Sequence, residues 1–407
     1  MLSVLISAFA CCPNRGSEFG VGWNWVTNLA KYCNVYVITE ESQKMLIEEE
    51  LRECKYGEHL FLYYVSIEER AWKMYHNQGD WRFYYYYNRW QKRVYHLAMD
   101  IVANNAIDII HQLGLICFRE PGYLWKIKKI PFVWGPLGGF VEIPMNYLMR
   151  MGGEKILYYT LKRSLMLSIA YFSLRVRKSV KRSSLLFAAS QNSYNALAGI
   201  YRKKAIVMNE TGFSLTMSNL ERKRGNEALN IVWIGRIIPT KMLDIALETL
   251  SKLESDINYV FHIVGDGKEK QSYQEYAKLL NVADKCIWHG MVSHDMVQKI
   301  MENSDLLFFT SIVEGTSHVI MEAIANKLPI LCYDTCGHGE IVNENIGIKI
   351  PMCSPQEDIR IFADKIKYFN SLTRSIYYQD MSFLGQYTWE NKAKIMYDYY
   401  CNVIPLK

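Results

Sequence analysis

The sequence has no run of 18 apolar residues, so it offers no transmembrane helix of ordinary length. Its ten cysteines include no paired C-x-x-C, which leaves a zinc ribbon unsupported. Cys332, Cys336 and His338 make a metal-like group that lacks a fourth ligand. Ordinary thiols in a reducing cytosol are the better reading, and no metal is expected. Met1 to Cys12 is apolar but short and without a basic start, so it reads as a first buried strand rather than a signal peptide. Internal repeats and low-complexity tracts are lacking. The net charge of +6 is modest, and no nucleic-acid partner is expected. Acids are missing from one long stretch: Lys155 to Met208 holds eleven Lys or Arg and no Asp or Glu. Lys162, Arg163, Arg175, Arg177, Lys178, Lys181 and Arg182 alternate there with Leu165, Met166, Ile169, Phe172 and Val176. That pattern reads as one or two basic amphipathic helices, which can face an anionic membrane, a phosphorylated acceptor or only solvent.

What is present is a chain of 407 residues, half of them hydrophobic, enough for two cores of ordinary domain size. Strand-like runs at Leu2–Ala8, Val35–Thr39, Leu60–Val65, Asp108–His111, Pro131–Trp134, Leu185–Ala189 and Ala205–Met208 alternate with helical patterns. A polar, charge-rich break at Glu221–Glu227 follows. A second alternating set then runs through Leu229–Ile234, Tyr259–Val264, Ile287–His289, Asp305–Thr310 and Ile330–Cys332. The fold class is therefore α/β, with two Rossmann-like domains expected to face each other across a cleft. The expected division is 1–211 as a first domain, 212–228 as linker, 229–385 as a second domain, and 386–407 as a final helix. The stretch Trp72 to His96 holds ten Trp, Tyr or Phe residues and reads as an insertion packed on the first sheet. A surface that stacks on sugars or meets a membrane interface is the sharper alternative.

Chemistry concentrates after the strands. Glu314 leaves the strand Asp305–Phe309, Gly315 turns, Thr316 or Ser317 caps a helix, and Glu322 lies about two turns into it. Free N–H groups at that helix start favour an anion. The two carboxylates stand up to ~12 Å apart at helical rise, roughly the span of a sugar joined to a ribose through a diphosphate. Gly235, Arg236 and Lys241 lie at the first strand-to-helix turn of the second domain, and two cations there suit a diphosphate. Gly265 and Gly267 end the next strand, where they permit a tight turn or close approach to a ligand. His289 ends another and is not read as a catalytic base. In the first domain Gly16, Ser17, Glu18, Gly20 and Gly22 form a glycine-rich turn into a helix. It is not G-x-G-x-x-G, so a dinucleotide site is poorly supported. Gly135, Gly138 and Gly139 follow the strand Pro131–Val133.

These strings resemble, in order and over nearly the whole chain, retaining GT-B glycosyltransferases of family 4. Glu314 and Glu322 resemble its Glu-x7-Glu signature. Gly235 to Lys241 resembles its Gly-Arg-x-x-x-x-Lys-Gly motif, departing at Met242, where the family has Gly. Arg15–Trp25, Trp134–Phe140 and Asn209–Gly212 resemble one branch with Gly-Ser-Glu, Trp-Gly-Pro-x-Gly-Gly and Glu-Thr-Gly elements. A histidine that touches the donor sugar in many members is missing from Trp134–Phe140. Glycine N–H groups can take that role, or His111 can project from the preceding strand, unless His111 is a core residue. Glu210 is a further candidate.

The resemblance implies a metal-independent, retaining hexosyltransferase that moves a sugar, from a UDP-sugar first of all, to a glycan or lipid-linked acceptor. It implies a role in cell-surface polysaccharide synthesis in the cytoplasm or at the inner face of the membrane, and no cofactor. Arg236, Lys241 and Glu314 would be catalytic. Gly235, Gly265, Gly267, His289, Gly315, Thr316, Ser317 and Glu322 would hold the donor, and the first-domain glycine loops the acceptor. The rivals are a nucleotide-sugar epimerase on the same fold and a non-catalytic partner subunit.

Overall fold

The computed structural model describes residues 1–13, 17–76, 80–140, 142–214, 228–254, 257–315, 317–371 and 377–404. Its strands are Ser3–Ser7 (β1), Asn34–Glu40 (β2), Leu60–Val65 (β3), Ile109–Gln112 (β4), Phe132–Leu137 (β5), Leu185–Ala188 (β6), Ile206–Val207 (β7), Leu229–Ile234 (β8), Tyr259–Val264 (β9), Cys286–Gly290 (β10), Leu306–Phe309 (β11), Ile330–Tyr333 (β12) and Gly347–Ile350 (β13). All strand pairings within the two sheets are parallel. β13 is absent from the sequence reading, because Gly347-Ile348-Lys349-Ile350 is short and carries a glycine and a lysine.

The chain forms two compact units. One holds Met1–Phe140, Ser164–Gly212 and Trp389–Lys407; the other holds Val141–Arg163 and Phe213–Thr388. Val141–Arg163 thus groups with the second unit, although it precedes position 212. Most of the expected linker lies outside the described residues.

The first unit is a seven-stranded sheet in the order β3-β2-β1-β4-β5-β6-β7. β1, β4 and β5 are buried throughout, as strands must be when helices cover both faces. On one face Phe9 is ringed edge-on by Tyr75, Phe83, Tyr87 and Trp90 at 4.9–5.7 Å. The aromatic stretch is therefore mostly core, carried by helices Glu69–His76 and Phe83–Asn104, with Trp81 and Tyr85 left exposed. On the other face helix Trp389–Val403 packs against helix Ser17–Leu29. There Trp25 meets Trp389 edge-on at 5.9 Å and Tyr32 stacks on Tyr397 at 5.6 Å. Lys392 is buried between the two tryptophan rings and donates to the carbonyls of Asn209 and Thr211. Burial pushes its pKa down to about 7.

The second unit is a six-stranded sheet in the order β10-β9-β8-β11-β12-β13. β11 and β12 are buried throughout. Each sheet reverses its winding direction once, between β1 and β4 in the first and between β8 and β11 in the second. Loops leaving the carboxyl ends of such a strand pair diverge and open a crevice, where ligands of doubly wound sheets bind.

The acid-free stretch is less free than its sequence suggests. Arg175 pairs with Glu120 at 2.6 Å, Lys155 with Glu269 at 2.7 Å and Arg163 with Glu142 at 2.7 Å. Arg182 donates to the carbonyls of Ile127 and Ile130. The missing acids are supplied from elsewhere in the chain, which a linear reading does not see.

Candidate active site

The crevice of the second unit is built from the loops after β8 and β11. After β8 the chain passes Gly235 and the exposed Arg236, then makes a short 3-10 turn, Pro239–Lys241. Met242 follows in the left-handed region at φ 49° and opens helix Leu243–Ser251. A non-glycine residue there costs roughly 1–2 kcal/mol. Met242 is 1 % exposed, so burial of its side chain offsets that strain. The departure from Gly at this position therefore keeps the backbone turn and adds to the core.

After β11 the chain runs through Thr310 to Gly315 and reaches helix His318–Ala325. Two hydrogen bonds fasten the two loops: Ile312 N–H to the Thr240 carbonyl at 3.1 Å, and the Thr310 hydroxyl to the Lys241 carbonyl at 2.8 Å. This brings Lys241 against Glu314 in an ion pair across 73 residues of sequence. Ser311 also donates to that carboxylate at 2.9 Å, and Phe309 lies under the ammonium at 5.5 Å. The turn of Cys336 supports the loop from behind. Glu314 N–H approaches Cys336 Sγ at 3.4 Å, and Gly337 N–H donates to the Gly315 carbonyl at 3.0 Å. Cys332, Cys336 and His338 do not gather as ligands; no group of three or more metal-type side chains occurs among the described residues.

Ser317 holds the N-cap position of His318–Ala325, but its side chain makes no capping hydrogen bond. A helix start is a place where backbone N–H groups and the helix dipole favour an anion. Thr316 lies outside the described residues. The helix begins at His318, so Glu322 stands about one turn in rather than two, because residues 314–317 are not helical. Desolvation raises the Glu322 pKa from 4.5 to about 7. His294 Nδ1, at 3.6 Å, is its nearest basic group among the described residues.

The remaining second-unit candidates serve packing as well. Gly265 has φ +132°, and a Cβ there would stand 1.9 Å from the Gly235 carbonyl oxygen. That glycine lets the loops after β8 and β9 touch, which fixes the path of Gly235 and Arg236. Gly267 closes the same contact against the Ile237 carbonyl. The His289 ring is stacked on His262, their nitrogens 3.0 Å apart, and desolvation lowers the pKa of both.

In the first unit Gly16 lies outside the described residues, and Ser17 begins helix Ser17–Leu29. Glu18 accepts a hydrogen bond from Tyr75 Oη at 2.8 Å. Gly20 lies one turn into the helix and accepts from Asn24 Nδ2. A Cβ on Gly22 would meet the Ala10 carbonyl oxygen at 2.1 Å, so Gly22 serves close packing of helix on loop. Gly135 lies within β5, Gly139 beside Phe118, and Gly138 N–H donates to the Ile116 carbonyl at 2.7 Å. That N–H is therefore spent inside the protein. His111 is wholly buried between Tyr400 Oη at 2.6 Å and the Gly135 carbonyl at 2.7 Å. Both ring nitrogens are used, and desolvation lowers its pKa to about 4. Glu210 is buried; its carbonyl accepts from Trp25 Nε1 at 2.8 Å and its carboxylate acts on Lys392.

Residues 220–379 match the family model of glycosyl transferases group 1. Lipopolysaccharide 1,6-galactosyltransferase of Escherichia coli K12 is 26 % identical over 125 residues, 30 % of this chain and 34 % of that protein. The first curated relatives are matched over only about a third to two fifths of their own length. Among solved structures, a glycosyltransferase of Rickettsia africae has a TM-score of 0.67 at 16 % identity, covering 100 % of this chain and 99 % of its own. HepE of Anabaena, solved with UDP, has a TM-score of 0.63 at 16 % identity, covering 99 % and 100 %. At that identity the structures speak to fold. The two parallel-sheet units have the architecture of the GT-B fold, and residues 220–379 are similar to the group 1 glycosyl transferases.

Proposed function

We propose that the protein is a retaining, metal-independent glycosyltransferase that takes a nucleotide-sugar, a UDP-sugar first of all, and serves cell-surface polysaccharide synthesis. One observation carries the reading: Lys241 and Glu314 pair at the switch point of the second unit, beside the start of helix His318–Ala325, with Glu322 one turn along that helix. In this reading the diphosphate takes Lys241, Arg236 and the helix N–H groups. Glu314, released from Lys241, accepts from donor-sugar hydroxyls, and Glu322 accepts from the ribose. Negative charge grows on the diphosphate as the glycosidic bond breaks, and fixed cations stabilise that state more than the ground state. Front-face attack by the acceptor follows from the family resemblance.

The acceptor is proposed to be a glycan or a lipid-linked sugar. The part of helix Gly153–Phe172 that belongs to the first unit supports the lipid option, since it leaves Leu165, Tyr171 and Phe172 exposed. Exposed Lys178 and Lys181 follow on helix Leu174–Arg182. Apolar side chains beside cations suit an anionic bilayer surface. No helix among the described residues is long and apolar enough to cross a membrane.

Thermal-shift screening against UDP-, GDP- and ADP-sugars tests the reading. A ligand at 100 times its dissociation constant adds ~2.7 kcal/mol to stability, a readable rise in melting temperature. No shift with any nucleotide-sugar would favour the non-catalytic subunit. Conversion of a donor to its epimer without acceptor would favour the epimerase.

A further inference from the structure

The first unit has its own switch point, between β1 and β4, and the chain leaving β4 carries a cation that the motifs do not single out. Arg119 sits in the loop after β4 and is partly exposed. Its guanidinium lies on the Tyr84 ring at 3.6 Å and beside Met166 Sδ at 3.8 Å. Its Nε is buried without a hydrogen-bond partner, and it forms no ion pair among the described residues. The adjacent carboxylate, Glu120, is held by Arg175 instead. Two guanidinium groups thus share one carboxylate. The Glu18 carboxylate at the start of helix Ser17–Leu29 is held by Tyr75 Oη. An arginine held against an aromatic face offers its remaining N–H groups as a fork for an oxyanion.

We propose that Arg119 binds a phosphate or diphosphate group carried by the acceptor. This deepens the transferase reading and rests on it for the word acceptor; the anion site itself does not depend on it. Stacking on Tyr84 removes the rotamer freedom that a surface arginine loses on binding, so the fork is pre-organised.

The test is titration calorimetry of wild type, Arg119→Gln and Arg119→Lys with inorganic diphosphate, geranyl diphosphate, glucose 6-phosphate and glucuronate. It is run with UDP in excess, so that the second unit's site does not report, and repeated without nucleotide. Wild type should bind the phosphate probes, Arg119→Gln at least tenfold more weakly, and Arg119→Lys in between. Preference for geranyl diphosphate points to a lipid carrier, and preference for glucose 6-phosphate to a phosphosugar. Phosphate binding unchanged in Arg119→Gln, or binding of glucuronate alone, overturns the proposal. If Arg119→Gln does not fold, wild type decides. Diphosphate should protect Arg119 from phenylglyoxal, read by peptide mass, and absence of protection overturns the proposal. Failure of the nucleotide screen leaves this titration readable, so the two readings fail separately.

Discussion

Glu322 should trade stability for ligand binding, and pH should expose the trade. Desolvation lifts its carboxyl from 4.5 to about 7 in the folded chain. An acid whose folded pKa is raised leaves stability intact below the unfolded value and loses it as pH rises toward the folded one. Here the loss falls between about pH 4.5 and 7. Linkage puts the difference between pH 5 and pH 8 at about 2–3 kcal/mol. Glu322→Gln removes that burden, so the variant should match wild type more closely at pH 5 and exceed it at pH 8. For a unit of this size the gain corresponds to roughly 4–12 °C. The same substitution should weaken nucleotide-sugar binding, since a charge-assisted hydrogen bond to the ribose is worth roughly 1.5–3 kcal/mol. Affinity of wild type should rise ~10-fold from pH 6 to pH 8 as Glu322 ionises, and that slope should vanish in the variant. Melting curves at the two pH values and calorimetric titration read both effects. A variant no more stable at pH 8 than at pH 5, relative to wild type, would show that the carboxylate is not desolvated. Undiminished nucleotide-sugar affinity in the variant would remove Glu322 from the donor site.

Lys241→Ala should lower turnover more than it weakens donor binding, because the diphosphate gains charge in the transition state; a raised KM with full kcat would leave Lys241 a ground-state contact. EDTA should leave transferase activity intact; loss restored by magnesium or manganese would overturn the metal-independent mechanism. Wild type should sediment with phosphatidylglycerol vesicles at low salt, and an Arg177/Lys178/Lys181 charge reversal should not. Each cation at an anionic surface contributes ~1 kcal/mol. Sedimentation by neither protein would discard the membrane face.

Much of this was open to the eye in the linear sequence, and the reasons differ by element. Leu60–Val65, Leu229–Ile234 and Tyr259–Val264 are apolar runs between polar turns, and the strands keep those bounds. Apolar runs between polar turns mark strands of parallel sheets even where, as at the edge strand Leu60–Val65, most of the run is only half-buried. That Glu314, Arg236 and Lys241 lie in the loops after β8 and β11 was legible from the apolar runs before them. That Lys241 and Glu314 pair was not, since the pairing depends on β8 and β11 being neighbours. The role of Gly265 was half visible: the turn was, but contact with the Gly235 carbonyl needs two loops in space. Arg119 had no signal of its own. It lies in no glycine loop and beside no second cation in sequence, and its distinction is a place on the Tyr84 ring without an ion pair among the described residues. Arg175 misled for the converse reason, because Glu120 is 55 residues away.

The central claim is that the crevice between β8 and β11 holds the diphosphate of a nucleotide-sugar. Phosphorus-31 NMR of UDP-, GDP- and ADP-sugars with the protein tests it at the atoms concerned. With wild type, the two diphosphate resonances of at least one donor should shift and broaden, and an Arg236→Ala/Lys241→Ala double variant that melts like wild type should leave them sharp. Resonances that wild type leaves unmoved for every donor, or that the double variant moves equally, would contradict the account.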